Sequence, residues 1–181
     1  MARIGLKNFR YSLLNEKEEV IEPKSLGKAI NCKVSLELNS AELYADDALT
    51  ESDYTFNKGT VTITVDDDDD TILAPLLGHT ISEDGEIVRK DTDVAPYIAF
   101  GRILTKVVSG TYKYKVEFLS KVKFKDTMPD EATKGGSVEF TTVSIEGSVM
   151  RKSNGEWSKS KTFTAYTEAS EYLDSLLTAK V

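Results

Sequence analysis

One cysteine and one histidine among 181 residues leave little material for disulfide, thiolate-metal or imidazole chemistry. Cys32 has no second cysteine to pair with, which excludes an intramolecular disulfide and a clustered thiol site. Any mechanism needing an imidazole passes through His79 alone. No stretch approaches the roughly 18 consecutive apolar residues of a membrane-spanning helix. The first ten residues lack the apolar run of roughly 7 to 15 residues that marks a secretory signal, so the expectation is synthesis in a cytoplasm. A basic excess is missing too. Lys and Arg number 23 against 30 Asp and Glu, a formal charge of -7, which argues against a surface that holds nucleic acid through its phosphates. At roughly 150 residues per domain, the chain reads as a single domain over 1–181.

What is present is period-two alternation rich in Val, Ile, Thr, Tyr and Phe, the pattern of half-buried strands. Phe9, Tyr11 and Leu13 alternate with polar residues. Ile30, Cys32, Val34, Leu36 and Leu38 do the same and read as one core-facing row, followed by a short strand over 43–45. Segment 46–59 carries charge without a sustained period and reads as a loop of uncommon length. Strict alternation resumes with Val61, Ile63 and Val65. Ile72, Leu73, Leu76 and Leu77 then show helical spacing after the Asp66 to Asp70 run, with Gly78 as the stop. Asp84-Gly85 and Ser109-Gly110 predict two hairpins. In 112–125, Tyr112, Tyr114, Val116, Phe118, Val122 and Phe124 are assigned to one face, and Lys113, Lys115, Glu117, Lys121, Lys123 and Lys125 to the other. Segment 126–136 reads as a second polar loop. Strands over 137–142 and 143–150 follow, with a bulge where they meet, and Asn154-Gly155 then leads to a strand over 157–163 that closes a hairpin. A helix over 167–178, opened by Thr167, places Ala169, Tyr172, Leu173, Leu176 and Leu177 on one face. The expected fold class is mainly β, a β-sandwich or barrel-like domain with one short central helix and a C-terminal helix.

Candidate chemistry is sparse. His79 directly follows a helix stop, where a capping role suits it, and the sequence indicates no partner that would make it catalytic. The aspartate run lacks the Asp-x-Asp-x-Asp-Gly spacing and later glutamate of a calcium loop, so it reads as a solvated helix start. Gly135 and Gly136 lack the lysine and spacing of a phosphate-binding loop. The lysines of 112–125 are assigned away from the aromatics, so they do not form a base-stacking platform. They suit edge protection or an acidic neighbour instead. Catalytic, cofactor and metal residues are therefore expected to be none.

Several segments together resemble the major tail proteins of Gram-positive siphophages, the phi13-type family. These are Ala2-Arg3-Ile4-Gly5-Leu6-Lys7-Asn8-Phe9-Arg10-Tyr11, Leu43-Tyr44-Ala45-Asp46-Asp47, the aspartate run, Leu77-Gly78-His79-Thr80-Ile81, Asp93-Val94-Ala95-Pro96-Tyr97, Phe100-Gly101-Arg102, the 112–125 strand, Lys134-Gly135 and Val138-Glu139-Phe140. The resemblance spans nearly the whole chain. It implies a non-enzymatic tail-tube subunit with a β-sandwich-like core. It also implies hexameric rings that stack on one another, and strands that join across subunits. The implied partners are further copies of the chain, a tape-measure protein, a tail terminator and baseplate-side tail proteins. DNA would pass through the channel without specific binding. The implied location is the virion tail, assembled in the host cytoplasm, with no membrane or cofactor. Expected assembly residues are Asp46, Asp47, Tyr54 and Phe56 in the first long loop, Lys113, Lys115, Lys121 and Lys123 on the lysine face, and Lys134 and Gly135 in the second loop. An acidic channel wall would let DNA slide, so the lysine face is expected not to line it. The rival readings are a monomeric β-sandwich module that binds carbohydrate or a surface protein through Trp157 and exposed tyrosines, and a hydrolase using His79 or paired acids.

Overall fold

The computed structural model describes residues 2–45, 48–66, 70–126 and 142–179. The chain begins with β1 (Ala2–Leu13), the two-residue β2 (Lys24–Ser25), and two long strands, β3 (Ala29–Ala45) and β4 (Ala48–Val65). Helix α1 (Asp70–Leu77) and a small hairpin, β5 (Thr80–Ile81) and β6 (Ile87–Val88), lead to β7 (Ile98–Val108) and β8 (Thr111–Phe124). Strands β9 (Val143–Met150) and β10 (Ser158–Phe163) precede the closing helix α2 (Tyr166–Leu177). The fold is mainly β, as the alternation requires.

The eight strands other than β5 and β6 form one antiparallel sheet in the order β2-β1-β7-β8-β9-β4-β3, with β10 joining β8. Strand β8 is where the sheet forks. Its residues 114–119 bond β10 while residues 121–124 bond β9. The expected hairpin between 143–150 and 157–163 therefore does not form; each strand uses a different half of β8. Strand 137–142, apart from Thr142, and most of loop 126–136 lie outside the described residues.

Two apolar clusters hold this sheet. In the main core, Phe9 and Tyr11 of β1 and Phe100 of β7 meet Val61, Ile63 and Val65 of β4 and Ile145 and Val149 of β9, with Leu76 of α1 among them. Phe9 and Phe100 meet edge to face at 5.3 Å between ring centroids, a favoured aromatic geometry. The second core lies on the opposite surface of β7 and β8, where Ala99, Ile103, Val116 and Phe118 receive Ala169, Leu173 and Leu177 of α2. Gly101 permits that approach, because a Cβ there would collide with the Leu173 side chain. Asn8 and Arg10 of β1 tie down the same helix through Ser170 at 3.3 Å and Asp174 at 3.8 Å.

Three further expectations are corrected at the level of elements. Segment 46–59 is not a loop: from Ala48 it is strand, paired with β3. Its alternation is hidden because register shifts leave Asn57 and Thr50 out of step, so the apolar phase slips twice within ten residues. The row from Ile30 to Leu38 is only partly core, since Cys32 and Val34 pack against it while Ile30, Leu36 and Leu38 are exposed. Thr167 lies inside α2, which starts after Ala165 without a side-chain cap.

Candidate assembly surface

The feature that stands apart from the two cores is the distal half of the β3–β4 hairpin. Strand β4 bonds β9 only over residues 59–65, so among the described residues the arm beyond Gly59 has no strand neighbour except β3. Every residue of β3 from Ser35 to Tyr44 is exposed, on both faces, as are residues 49–55 of β4. At roughly 3.3 Å per residue the arm extends about 30 Å. A two-stranded hairpin alone in water is marginally stable, so an arm of this length calls for a partner.

The pairing register sorts its side chains. Leu38 faces Phe56, Ser40 faces Tyr54, and Tyr44 faces Leu49; these pairs occupy the face that continues Cys32 and Val34 out of the core. Glu37 opposite Lys58, Ala41 opposite Asp53 and Leu43 opposite Glu51 occupy the other. The first face carries most of the large apolar side chains, interrupted by Glu42 opposite Ser52; the second carries Glu37, Glu51 and Asp53, with Leu43 among them. Phe56 is the last apolar residue covered from within, stacked on Trp157 with centroids 4.5 Å apart and planes 2° from parallel. Beyond it Leu38, Tyr44, Leu49 and Tyr54 are each more than half exposed. Among the described residues no strand pairs with the outer edge of β3, which leaves the outward-pointing backbone donors and acceptors of its distal half open to another chain.

The expected assembly residues separate. Tyr54 and Phe56 are on the apolar face of the arm, whereas Asp46, Asp47, Lys134 and Gly135 lie outside the described residues. The lysines do not share a face. Phe118 packs into the second core and Leu119 into the main one, so consecutive residues point to opposite sides and the alternation of β8 reverses past Ser120. The same reversal divides the supposed apolar row, with Val116 and Phe118 under α2 and Val122 and Phe124 in the main core. Lys115 reaches Glu117 at 2.7 Å, and Glu117 also takes Arg102 Nη2 at 2.6 Å. Burial alone would raise the Glu117 pKa, but hydrogen bonds from Lys115 and Arg102 outweigh it and hold the carboxyl below its ordinary range. Arg102 also touches Cys32 Sγ, and burial pushes that thiol up despite the guanidinium.

Lys121 pairs instead with Glu18 at 2.5 Å, and Lys121 and Lys123 stand 4.4 and 5.3 Å from the Tyr97 ring centroid. Glu18 occupies a left-handed backbone conformation, φ 61°, and accepts the Ser153 amide as well. Its hydrogen bonds from Lys121 and Ser153 lower its pKa to about 2. Since the folded value is depressed, this pin stabilises the fold above the ordinary glutamate pKa and is lost as pH falls from about 4.5 toward about 2. Glu18→Gln is therefore expected to flatten the acid limb of a stability-against-pH profile followed by circular dichroism, and an unchanged limb would remove the assignment. Glu18 also borders a cleft of about 620 Å³ between the 15–21 loop, the 152–156 turn and the end of α2. Glu156, on the same wall, is held by Ser120 at 2.8 Å and Lys159 at 3.0 Å.

His79 has partners that the sequence did not indicate. Its side chain is 5% exposed, with Nδ1 3.0 Å from Asp93 Oδ2, and Nε2 3.1 Å from Asp126 Oδ2 in an ion-pair rather than hydrogen-bond alignment. Both ring nitrogens face carboxylates, so the residue ties the end of α1 to the 89–97 segment and to the end of β8. Hydrogen bonds from His79 and the Lys90 amide lower the Asp93 pKa. Among the described residues no group of His, Cys, Asp and Glu is arranged to hold a metal ion, and no helix is long and apolar enough to cross a membrane. In comparisons with known proteins, no protein-family model matches the chain and no curated protein matches it.

Proposed function

We propose that this chain is a non-enzymatic structural subunit of a bacteriophage tail tube, made in the bacterial cytoplasm and assembling into stacked hexameric rings whose channel conducts DNA. The observation that carries the reading is the unsupported β3–β4 arm. It exposes Leu38, Tyr44, Leu49 and Tyr54 on one face, on either side of the Glu42–Ser52 rung, and, among the described residues, a strand edge without a partner along its side. Large exposed apolar side chains grouped on one face mark an interaction site, and an open edge invites a strand from another chain. Both needs are met at once by further copies of the same chain. The resemblance of the sequence to siphophage major tail proteins supplies the ring, the stacking, and the tape-measure, terminator and baseplate-side partners.

Of the contact residues that the rival reading as a monomeric binding module would use, Trp157 is stacked on Phe56, while Tyr44, Tyr54, Tyr97 and Tyr112 are exposed. Electron microscopy of negatively stained protein, with mass measured across concentrations, tests the proposal. Rings or tubes are expected at high concentration or on adding the tape-measure and initiator proteins. A chain that stays monomeric under both conditions sinks it.

A further inference from the structure

The far ends of β1, β7 and β8 set three cations side by side. Arg3 is opposite Lys106, and Lys106 is opposite Lys113. Residues directly opposed on neighbouring strands project from the same face, so the three charges stand on strands about 4.8 Å apart, a row about 10 Å across. Like charges in that relation destabilise a sheet. Two rungs further in, the fold has answered the same problem by placing Glu117 between Arg102 and Lys115. Among the described residues the outer row has no such answer: no carboxylate lies within ion-pair distance of Arg3, Lys106 or Lys113. The row is a built concentration of positive charge without a counterion.

The missing charge of opposite sign is on the arm. Between Lys33 and Lys58 the sequence has no Lys or Arg and six acids, Glu37, Glu42, Asp46, Asp47, Glu51 and Asp53. Glu37 is neutralised by Lys58 at 3.3 Å, and Glu42 accepts the Tyr44 hydroxyl at 2.9 Å. Glu51 and Asp53 have no charged partner among the described residues, and both stand on the arm's polar face. Two residues apart on one strand, they are separated by about 7 Å, a spacing that two cations of the row can match through their flexible stems. Neither is joined to the row within one copy.

Building on the tail-tube reading, we infer that the row Arg3, Lys106 and Lys113 receives the acidic face of the arm from a second copy, with Glu51 and Asp53 meeting Lys106 and Lys113. The arm then uses both faces in assembly: its apolar face for burial, its acidic face for register. Charge pairs of this kind set orientation and steer encounter, and their contribution weakens with salt.

Four chains test it: wild type, Lys106→Glu with Lys113→Glu, Glu51→Lys with Asp53→Lys, and all four changes together. Melting curves first establish that each is folded, and sedimentation then gives the concentration at which assembly begins. Each reversal alone is expected to raise that concentration at least tenfold, and the combination to return it to within about threefold of wild type. A reversed row that assembles like wild type overturns the inference, as does a combined variant no better than either parent. So does a third outcome, in which the reversed row assembles normally but loses affinity for a short DNA duplex. In a mixture of ¹⁴N- and ¹⁵N-labelled wild-type chains, zero-length carbodiimide coupling should join Lys106 or Lys113 of one label to Glu51 or Asp53 of the other. If the wild type fails to form rings at all, the tube reading fails. The mixed-label link then decides the pairing separately, its presence keeping the inference and its absence ending it.

Discussion

Replacing residues 40–54 by an Asn-Gly turn is expected to leave a folded protein that no longer assembles. The cut is set by register: Asn39 is opposite Thr55, so a two-residue turn closes the shortened hairpin without shifting the strands beneath it. Leu38 and Phe56 are kept, and with them the stack on Trp157 that seals the core. The deleted residues contribute to neither apolar cluster, so the melting temperature should move by only a few degrees. Assembly should respond far more. Tyr44, Leu49 and Tyr54 are removed, and full burial of a large apolar side chain contributes roughly 1.5–3 kcal/mol before the entropic costs of association. If only a third of that survives for the three together, it amounts to roughly 1.5–3 kcal/mol, or about a tenfold to a hundredfold rise in the concentration needed. Changing Tyr44, Leu49 and Tyr54 to serine should do the same with the backbone of the arm intact. Normal tubes from both variants would remove the arm from the interface.

The arm shows what a single sequence displays and what it conceals. Residues 30–38 and 61–65 alternate cleanly and are strand, and Leu73, Leu76 and Leu77 carry the helical spacing of α1. The stretch 46–59 reads as loop because two register shifts in β4 reverse the phase, and because residues 49–55 are exposed on both faces, so no burial pattern is imposed on them. The arm does carry a signal of a different kind: a run of residues without one lysine or arginine, flanked by Lys33 and Lys58. The lysine row of β8 failed for the same physical reason as the loop. A single reversal past Ser120 sends Lys113 and Lys115 to one side and Lys121 and Lys123 to the other. Partnerships made across the fold have no local signature at all. Arg102 with Glu117 is a cross-strand pair, Glu18 reaches Lys121 over more than a hundred residues, and His79 meets Asp126 only after β8 has returned.

The Arg102–Glu117–Lys115 group yields the largest stability prediction. Among the described residues Glu117 is the sole carboxylate paired with Arg102 and Lys115, and the Arg102 side chain is 10% exposed. Glu117→Gln keeps the shape and removes the charge, leaving a buried guanidinium beside an ammonium. Removing one partner of a buried pair costs about 3–5 kcal/mol, and the partial exposure of Glu117 argues for the lower end, about 3 kcal/mol. For a domain of this size that corresponds to a fall in melting temperature of roughly 6–12 °C. The double change Arg102→Met with Glu117→Met should cost much less, because both desolvated charges leave together and Lys115 can turn its ammonium to water. The acid limb supplies an independent signature. With the Glu117 pKa held below its ordinary value, its contribution is complete above pH of about 4.5 and declines as pH falls through the lowered one, so Glu117→Gln should destabilise strongly at neutral pH and converge on wild type in acid. A loss that stayed constant across that range would mean that the side chain acts through packing rather than charge. The row of Arg3, Lys106 and Lys113 would then need no counterion either, since the inner cations would show that this sheet tolerates uncompensated positive charge.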